Sequence, residues 1–272
     1  ALAQWAAKTK ADIIVLCGVH FMGETAKILC PDKKVLVPDL NAGCSLADSC
    51  PATEFAEFVK QHPGHTVISY VNTTAAVKAV TDVVVTSTNA RQIVESFPEG
   101  TPMIFGPDRN LGNYINSITG RNMLLWDGAC HVHEQFSLEK ILSLKKQYPN
   151  AEVITHPECK QPVIQVSDFV GSTAALLKHT IKSDAKQFIV ATESGVIHEM
   201  RKRSPDKEFI PAPPNDSTCA CNECNFMRLN TMEKLYNCLK FEMPEIFVDE
   251  EVQKKAIKPI KKMLEISEKL GL

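Results

Sequence analysis

The stretch "HPECKQPVIQVSDFVGST", residues 156–173, decides the fold because the chain carries its skeleton twice. Moving back 86 positions without a gap gives "YVNTTAAVKAVTDVVVTS", residues 70–87. The matches include Val77 with Val163, Asp82 with Asp168, Val84 with Val170 and the hydroxyl pair Ser87 with Thr173. Similarity at a fixed spacing indicates one structural unit that occurs more than once in the fold.

Short apolar runs alternate with helical patterns along the whole chain, and most of the runs are continuously apolar. Such runs are typical of parallel strands that are buried on both faces. The sequence therefore predicts an α/β protein with small parallel sheets. The repeat spacing predicts three units at 1–65, 66–151 and 152–245, of which the first is shortened at its front. An amphipathic closing helix at 246–272 is expected to pack on the first unit.

Composition excludes several classes of function. The chain has 272 residues, 44% of them hydrophobic, and a net charge of -2, which gives no electrostatic basis for binding nucleic acid. No apolar stretch is long enough to predict a membrane span. The ten cysteines are scattered rather than arranged as a compact disulfide framework. This pattern favours a reducing, cytosolic compartment, where polar-flanked cysteines serve as metal ligands or catalytic groups.

Each unit places a cysteine in the loop after a strand-like run. Cys44 follows "KKVLVPD", Cys130 follows "RNMLLWD" at a spacing of 86, and the third loop holds Cys219, Cys221 and Cys224. Ligands of parallel sheets gather at the carboxyl ends of the strands. Three equivalent units around a pseudo-threefold axis would therefore bring one cysteine from each loop to a single centre.

Three cysteine thiolates, without a fourth at an equivalent position of the repeat, favour a 4Fe–4S cluster with one open iron. Such an iron can act as a Lewis acid on a substrate. Structural zinc is an alternative, but it favours paired CxxC motifs, and only Cys221 and Cys224 form such a pair. Buried or reactive thiols are the third alternative. The spacing alone leaves all three open.

Polar residues of differing chemistry occupy matched positions beside these loops. Tyr70 and Asn72 of the second unit correspond to His156 and Glu158 of the third. All four follow an apolar run, so they are predicted at the carboxyl ends of strands, near the cysteines. Solvated loop residues are the alternative interpretation.

Small hydroxyl residues begin two predicted helices in step with these strand ends. Ser87 follows "TDVVVT", and Ser172 with Thr173 follows "SDFVG". Serine and threonine are common helix N-caps, which is the simpler interpretation. The free amides at a helix start also bind carboxylate or phosphate groups. Two such pockets would suit a small substrate with several negative groups.

The motifs "YVNT", "HPE", "GST", "GCSLADSC" and "GACHVH" together resemble those of the quinolinate synthase family, along essentially the whole chain. The resemblance implies three homologous α/β/α domains around a pseudo-threefold axis and a 4Fe–4S cluster with three cysteine ligands and one open iron. It also implies an enzyme of NAD biosynthesis that condenses iminoaspartate with dihydroxyacetone phosphate, losing phosphate and two waters, to give quinolinate. Expected with it are a cytoplasmic location, or the plastid stroma in a plant, and transient contact with L-aspartate oxidase.

The resemblance also implies roles for individual residues. The cluster ligands would be Cys44, Cys130 and Cys224, with Cys219 and Cys221 as additional thiols. Substrate binding would fall to Tyr70, Asn72, Ser87, His156, Glu158, Ser172 and Thr173. Glu158 would be the acid or base nearest the open iron, with Tyr70 as a second catalytic residue. His133 would add a bond behind the ligands or serve the fold.

The chain departs from the family pattern at its front. Family members begin with a His-x-Tyr strand end and an Asp-Ser helix start, and neither is present in this sequence. We expect these residues to lie upstream in the full protein. Two alternative functions are another 4Fe–4S hydro-lyase acting through Lewis-acid chemistry and a binding module based on zinc or thiols.

Overall fold

The first of three parallel sheets has two strands. The structure, a computed structural model, describes residues 2–216 and 222–272. In this part of the chain, β1 and β2 pair in parallel, and Val15 lies opposite Leu36. The elements in chain order are α1 (Leu2–Lys8), β1 (Ile13–Val15), α2 (His20–Leu29), β2 (Lys34–Leu36), α3 (Ser45–Asp48) and α4 (Ala52–Lys60).

The second sheet has four parallel strands in the order β4-β3-β5-β6. Apart from the edge strand β6, its strands are largely buried on both faces, which explains why most of their residues are apolar. The elements are β3 (Thr66–Tyr70), α5 (Ala75–Lys78), β4 (Val83–Val85), α6 (Ala90–Glu95), β5 (Met103–Gly106), α7 (Arg109–Thr119), β6 (Leu124–Leu125), α8 (His131–Glu134) and α9 (Leu138–Gln147).

The third sheet repeats the topology of the second, with the order β8-β7-β9-β10. All of its strand pairs are parallel, so the prediction of an α/β protein with small parallel sheets is confirmed. The elements are β7 (Glu152–Thr155), α10 (Gln161–Gln165), β8 (Phe169–Val170), α11 (Thr173–Lys182), β9 (Gln187–Ala191), α12 (Val196–Arg203) and β10 (Glu208–Pro211).

The C-terminal segment connects the first two sheets. It contains a 3₁₀ turn (Met227–Leu229), α13 (Met232–Phe241) and α14 (Glu250–Lys269). The Ile246 N–H bonds to the Val35 carbonyl at 2.8 Å, so the chain before α14 runs beside β2. The helix α14 then packs on β4 and α5 and also contacts α2. No helix in the described residues has the length and apolar character needed to cross a bilayer.

The repeated aspartates serve the fold rather than the site. Asp82 Oδ2 accepts a hydrogen bond from the Val67 N–H at 2.8 Å, and Asp168 Oδ2 accepts one from the Val153 N–H at 2.7 Å. Both bonds lie near the starts of the strands, opposite the edge where the strands end. The shared skeleton thus reflects the same local hydrogen bonding in both sheets.

Ile260 of α14 tests how firmly the closing helix stabilises the second sheet. Ile260 is 1% exposed and belongs to the core formed with β4. Truncation to alanine leaves a cavity, so Ile260→Ala should lower the free energy of unfolding by about 2–4 kcal/mol. The neighbouring Lys261 is exposed, and Lys261→Ala should change it by less than about 0.5 kcal/mol. Urea unfolding of both variants measures the difference; equal values would contradict this account of α14.

Candidate active site

Predicted site residues of the second and third sheets lie at, or just after, the carboxyl ends of strands. Tyr70 is the last residue of β3, and His156 directly follows β7. Ser87 and Ser172 each lie two residues after a strand, β4 and β8 respectively. Since the strands within each sheet are parallel, each sheet presents these side chains at one edge.

Tyr70 joins the two sheets at this edge. Its side chain is 5% exposed, and its hydroxyl is hydrogen bonded with Ser87 of its own sheet and with Glu158 of the third. Burial raises the pKa of Tyr70 well above its usual value, and the Glu158 carboxylate adds to the increase. Tyr70 therefore remains a protonated hydroxyl that can donate to the carboxylate.

Glu158 lies between two histidines. Its carboxylate oxygens are 3.2 Å from His133 Nδ1 and 3.6 Å from His156 Nδ1, and its side chain is buried. Burial alone would raise the pKa of Glu158, but the positive charge that His156 and His133 carry when protonated, together with the Tyr70 hydroxyl, lowers it to about 2. The carboxylate is therefore ionised although it lies out of contact with water.

The two histidines differ in charge. Burial lowers the pKa of His156 to about 4, so its ring is neutral. The Glu158 N–H donates to His156 Nδ1 at 3.3 Å, which places the ring proton on Nε2. For His133, burial would lower the pKa, but Glu158 and Cys130 raise it well above its usual value. The His133 imidazolium is thus the partner of the buried carboxylate.

The loops of Cys44 and Cys130 contact each other through the residues that follow the cysteines. Ser45 Oγ accepts from the His131 N–H at 3.3 Å and lies 2.6 Å from His131 Nδ1. Both cysteines are the N-cap residues of short helices, α3 and α8. The segments that carry these two cysteines therefore contact each other.

The loop of Cys224 contacts both of the others. The buried Asn222 side chain donates to the Val132 carbonyl of α8 at 2.9 Å. Phe226 packs in the same small apolar cluster as Cys44. The structure thus brings the three cysteine-bearing segments together. Cys219 and Cys221 lie outside the described residues, so their relation to these segments stays a prediction.

The donor atoms at this centre suit a metal. The ligand atoms of Cys130, His133 and Glu158 lie within 4.8 Å of one another. Burial, with smaller contributions from Cys130 and Glu158, raises the pKa of the Cys44 thiol to about 12. Thiolates form in such surroundings when a bound metal supplies positive charge. The residues present therefore fit a thiolate-bound metal group.

The residues predicted to bind anions differ in their burial and in their hydrogen bonds. Ser172 is buried, caps α11 through the Ala175 N–H, and accepts from Thr88 Oγ1 of the second sheet at 3.1 Å. Asn72 is half-buried and Thr173 is exposed at the same edge. In residues 2–216 and 222–272, neither of these two side chains bonds to Glu158 or Tyr70.

Sequence reasoning missed Asp108, a buried residue that follows β5. Its carboxylate accepts from the Asn110 N–H, the Leu111 N–H and the Cys130 N–H. Burial and the neighbouring Glu158 raise the pKa of Asp108 to about 7. The available signal was that Asp108 follows an apolar run and can cap the next helix. The gapless repeat did not support it, because the position 86 residues later is not an acid.

Lys78 was also missed, because it lies within the apolar run "AAVKAV". It is fully buried, and its ammonium donates to the Val71 carbonyl at 2.9 Å and to the Thr73 carbonyl. Burial lowers the pKa of Lys78 to about 8. The cation holds the loop that follows Tyr70 and carries Asn72.

Known proteins are similar to this chain along nearly its whole length. A family model described as "Quinolinate synthetase A protein" matches residues 1–265. The chain is 57% identical over 266 residues to a protein named "Quinolinate synthase" from Thermosynechococcus vestitus, covering 98% of this chain and 83% of that protein.

The chain belongs to the quinolinate synthetase A protein family.

Other relatives with the same name show the same extent of similarity. The protein from Chloroherpeton thalassium is 57% identical, with coverage of 98% of this chain and 83% of the relative. The protein from Nostoc punctiforme is 58% identical, with coverage of 98% and 82%. The family predicted from the sequence is therefore confirmed.

The contact between Ser45 and His131 can be tested in the metal-free protein. Because it joins two cysteine-bearing segments, a double-mutant cycle of Ser45→Ala and His131→Ala should give a coupling energy of about 0.5–1.5 kcal/mol in urea unfolding. Ser45→Ala combined with Lys261→Ala serves as the control, with no coupling expected. Additive effects of the first pair would show that the two loops do not depend on each other.

Proposed function

We propose that this chain is a quinolinate synthase, which condenses iminoaspartate with dihydroxyacetone phosphate and releases phosphate and two waters. The observation that carries the proposal is the meeting of Tyr70 and Ser87 with Glu158 beside the cysteine-bearing segments, in a member of this family. A buried carboxylate, a hydroxyl donor and a metal-binding group are the components that stepwise dehydration requires.

The cofactor we propose is a 4Fe–4S cluster held by Cys44, Cys130 and Cys224. A cluster with three cysteine ligands supplies a Lewis acid at its open iron. The pairwise contacts among the three segments support this ligand set, as does the high pKa of the Cys44 thiol without a metal. A single zinc ion on Cys130, His133 and Glu158 is the alternative that the donor atoms favour.

Glu158 is the proton acceptor in this proposal. It is ionised and buried, and the His133 imidazolium 3.2 Å away holds it in place. The Tyr70 hydroxyl donates to the same carboxylate, so a proton taken by Glu158 has a neighbouring oxygen with which to exchange. Residues placed in this way move protons between a substrate carbon and a departing hydroxyl.

The remaining predicted residues would bind the negative groups of the substrates. The neutral His156 carries its proton on Nε2, which is available as a donor. The start of α11 at Ser172 and Thr173 offers free backbone amides for a carboxylate or phosphate. Asn72 and Ser87 lie at the corresponding strand ends of the second sheet and would complete this lining.

The finer expectations are part of the same proposal. The units 1–65, 66–151 and 152–245 would be three homologous domains around a pseudo-threefold axis, with 246–272 as the closing segment. The two sheets of identical topology support this division. The substrates would be met in the cytoplasm, or in the plastid stroma in a plant, with transient contact to L-aspartate oxidase as the source of iminoaspartate.

Glu158→Gln tests the proton acceptor. The amide keeps the size of the side chain but removes its charge and basicity, so kcat for quinolinate formation should fall by about 10²–10⁴-fold. Glu152→Gln is the matched control, because Glu152 is a half-buried glutamate bonded to His179 at 2.6 Å at the start of β7. It should retain near-normal activity. Equal losses in both variants would assign Glu158 a structural role.

Metal analysis of anaerobically purified protein tests the cofactor. We expect about four irons and as many acid-labile sulfides per chain. Cys44→Ser, Cys130→Ser and Cys224→Ser should each lose most of the iron, whereas Cys159→Ser should keep it because Cys159 is buried and donates to the Ala191 carbonyl. One zinc per chain, without iron, would support the alternative site and contradict the cluster.

The activity itself is tested by supplying iminoaspartate with dihydroxyacetone phosphate and measuring quinolinate. A general iron–sulfur hydro-lyase would instead dehydrate simple hydroxy acids without forming quinolinate. Formation of quinolinate at a rate that depends on both substrates supports the proposal. An iron-loaded preparation of the full-length protein that forms none would contradict it.

A further inference from the structure

Two acidic residues occupy equivalent positions at the carboxyl ends of the second and third sheets. Ser69 lies opposite Gly106 in the second sheet, and its repeat partner Thr155 lies opposite Ala191 in the third. Two residues further along the chain, these registers place Asp108 after β5 and Glu193 after β9. The two acids are one position out of step with the 86-residue spacing, so a gapless comparison does not align them.

Both acids bond in the same way. One oxygen of each accepts from an N–H two residues ahead: Asn110 for Asp108 at 2.7 Å, and Gly195 for Glu193 at 2.8 Å. The other oxygen reaches across to the backbone of a distant cysteine. Asp108 Oδ2 accepts from the Cys130 N–H at 2.9 Å, and Glu193 Oε1 accepts from the Cys224 N–H at 3.3 Å.

Electrostatic attraction does not explain why acidic residues occupy these two positions. A carboxylate beside thiolates is repelled by them, and burial adds a further cost for Asp108. Each acid supplies an oxygen that accepts the cysteine N–H and fixes its direction. The same bond fixes the start of the cysteine-bearing loop. When the acid is ionised, bonds of this kind are stronger than neutral ones.

The first unit holds its cysteine differently. The segment that follows β1, residues 16–20, contains no acidic residue. The Cys44 loop is instead held by the bond between Ser45 and His131. The bond between an acidic side chain and a cysteine N–H therefore occurs in the second and third units, between Asp108 and Cys130 and between Glu193 and Cys224.

We propose that Asp108 and Glu193 are positioning residues that hold Cys130 and Cys224 in place as ligands of the metal cluster. The inference rests on the cysteine assignment of the proposed function and extends it. Outer residues that orient metal ligands contribute about 10–100-fold in metal affinity.

Iron release tests this inference. The anaerobically purified protein, loaded with its cluster, is mixed with an iron chelator, and the loss of cluster absorbance is followed. Glu193→Ala should release iron about 10–100-fold faster than the wild type. Glu193→Gln, which keeps one oxygen acceptor, should lie between the two. Glu193 is only partly buried, so its variants are chosen ahead of those of the fully buried Asp108.

Asp168→Ala is the matched control. It also removes a carboxylate that accepts a backbone N–H, at 2.7 Å, but it does so near the start of β7. It should lower the stability of the metal-free protein to urea about as much as Glu193→Ala, yet release iron at the wild-type rate. This separates a general loss of stability from a loss of ligand positioning.

The outcomes are distinguishable. A wild-type protein that binds no iron would overturn the proposed cluster, and this inference with it. An iron-loaded wild type whose Glu193→Ala variant releases iron at the unchanged rate would overturn the positioning role alone. If Glu193→Ala does not fold, the comparison of Glu193→Gln with Asp168→Ala decides in the same way.

Discussion

The mutual packing of three loops at the carboxyl ends of parallel strands is the constraint on which this structure depends. The loops of Cys44 and Cys130 follow strands of different sheets and contact each other through the bond between Ser45 and His131. The third loop joins them through the bond from Asn222 to the Val132 carbonyl. Each of these contacts is long-range, so none forms until the sheets themselves are in place. The residues that could hold a metal, Cys130, His133 and Glu158, are therefore brought together by packing between units rather than by any one unit.

The same packing sets the charges of the site. Glu158 remains ionised inside the protein because the His133 imidazolium and the Tyr70 hydroxyl surround it. Removing one partner from a buried pair leaves the other charge uncompensated, which costs more than the pair contributes. Lys78 adds a buried cation that ties down the loop after Tyr70. These side chains are thus held by contacts that are largely out of reach of solvent.

More of the fold than of the site could be predicted from the sequence. Continuous apolar runs specified the strands, and the spacing of 86 related the second sheet to the third. Tyr70, His156 and Glu158 were found because strand ends are marked by where an apolar run stops. Their roles as site residues, and the ligand set of the three cysteines, stay predictions.

What the sequence could not show depends on loop geometry. Asp108 and Glu193 differ in side-chain length and stand one position out of step, so only strand register reveals their equivalence. Lys78 was concealed within an apolar helix pattern. The choice among three cysteines in the last loop is not determined by spacing, because the lengths of the loops differ between units.

An anaerobic crystal structure of the purified protein tests the central claim most directly. We expect the Sγ atoms of Cys44, Cys130 and Cys224 to bind three irons of one cluster, with Glu158 facing the fourth iron. A cluster bound through Cys219 or Cys221, or a single metal ion on Cys130, His133 and Glu158, would contradict the account.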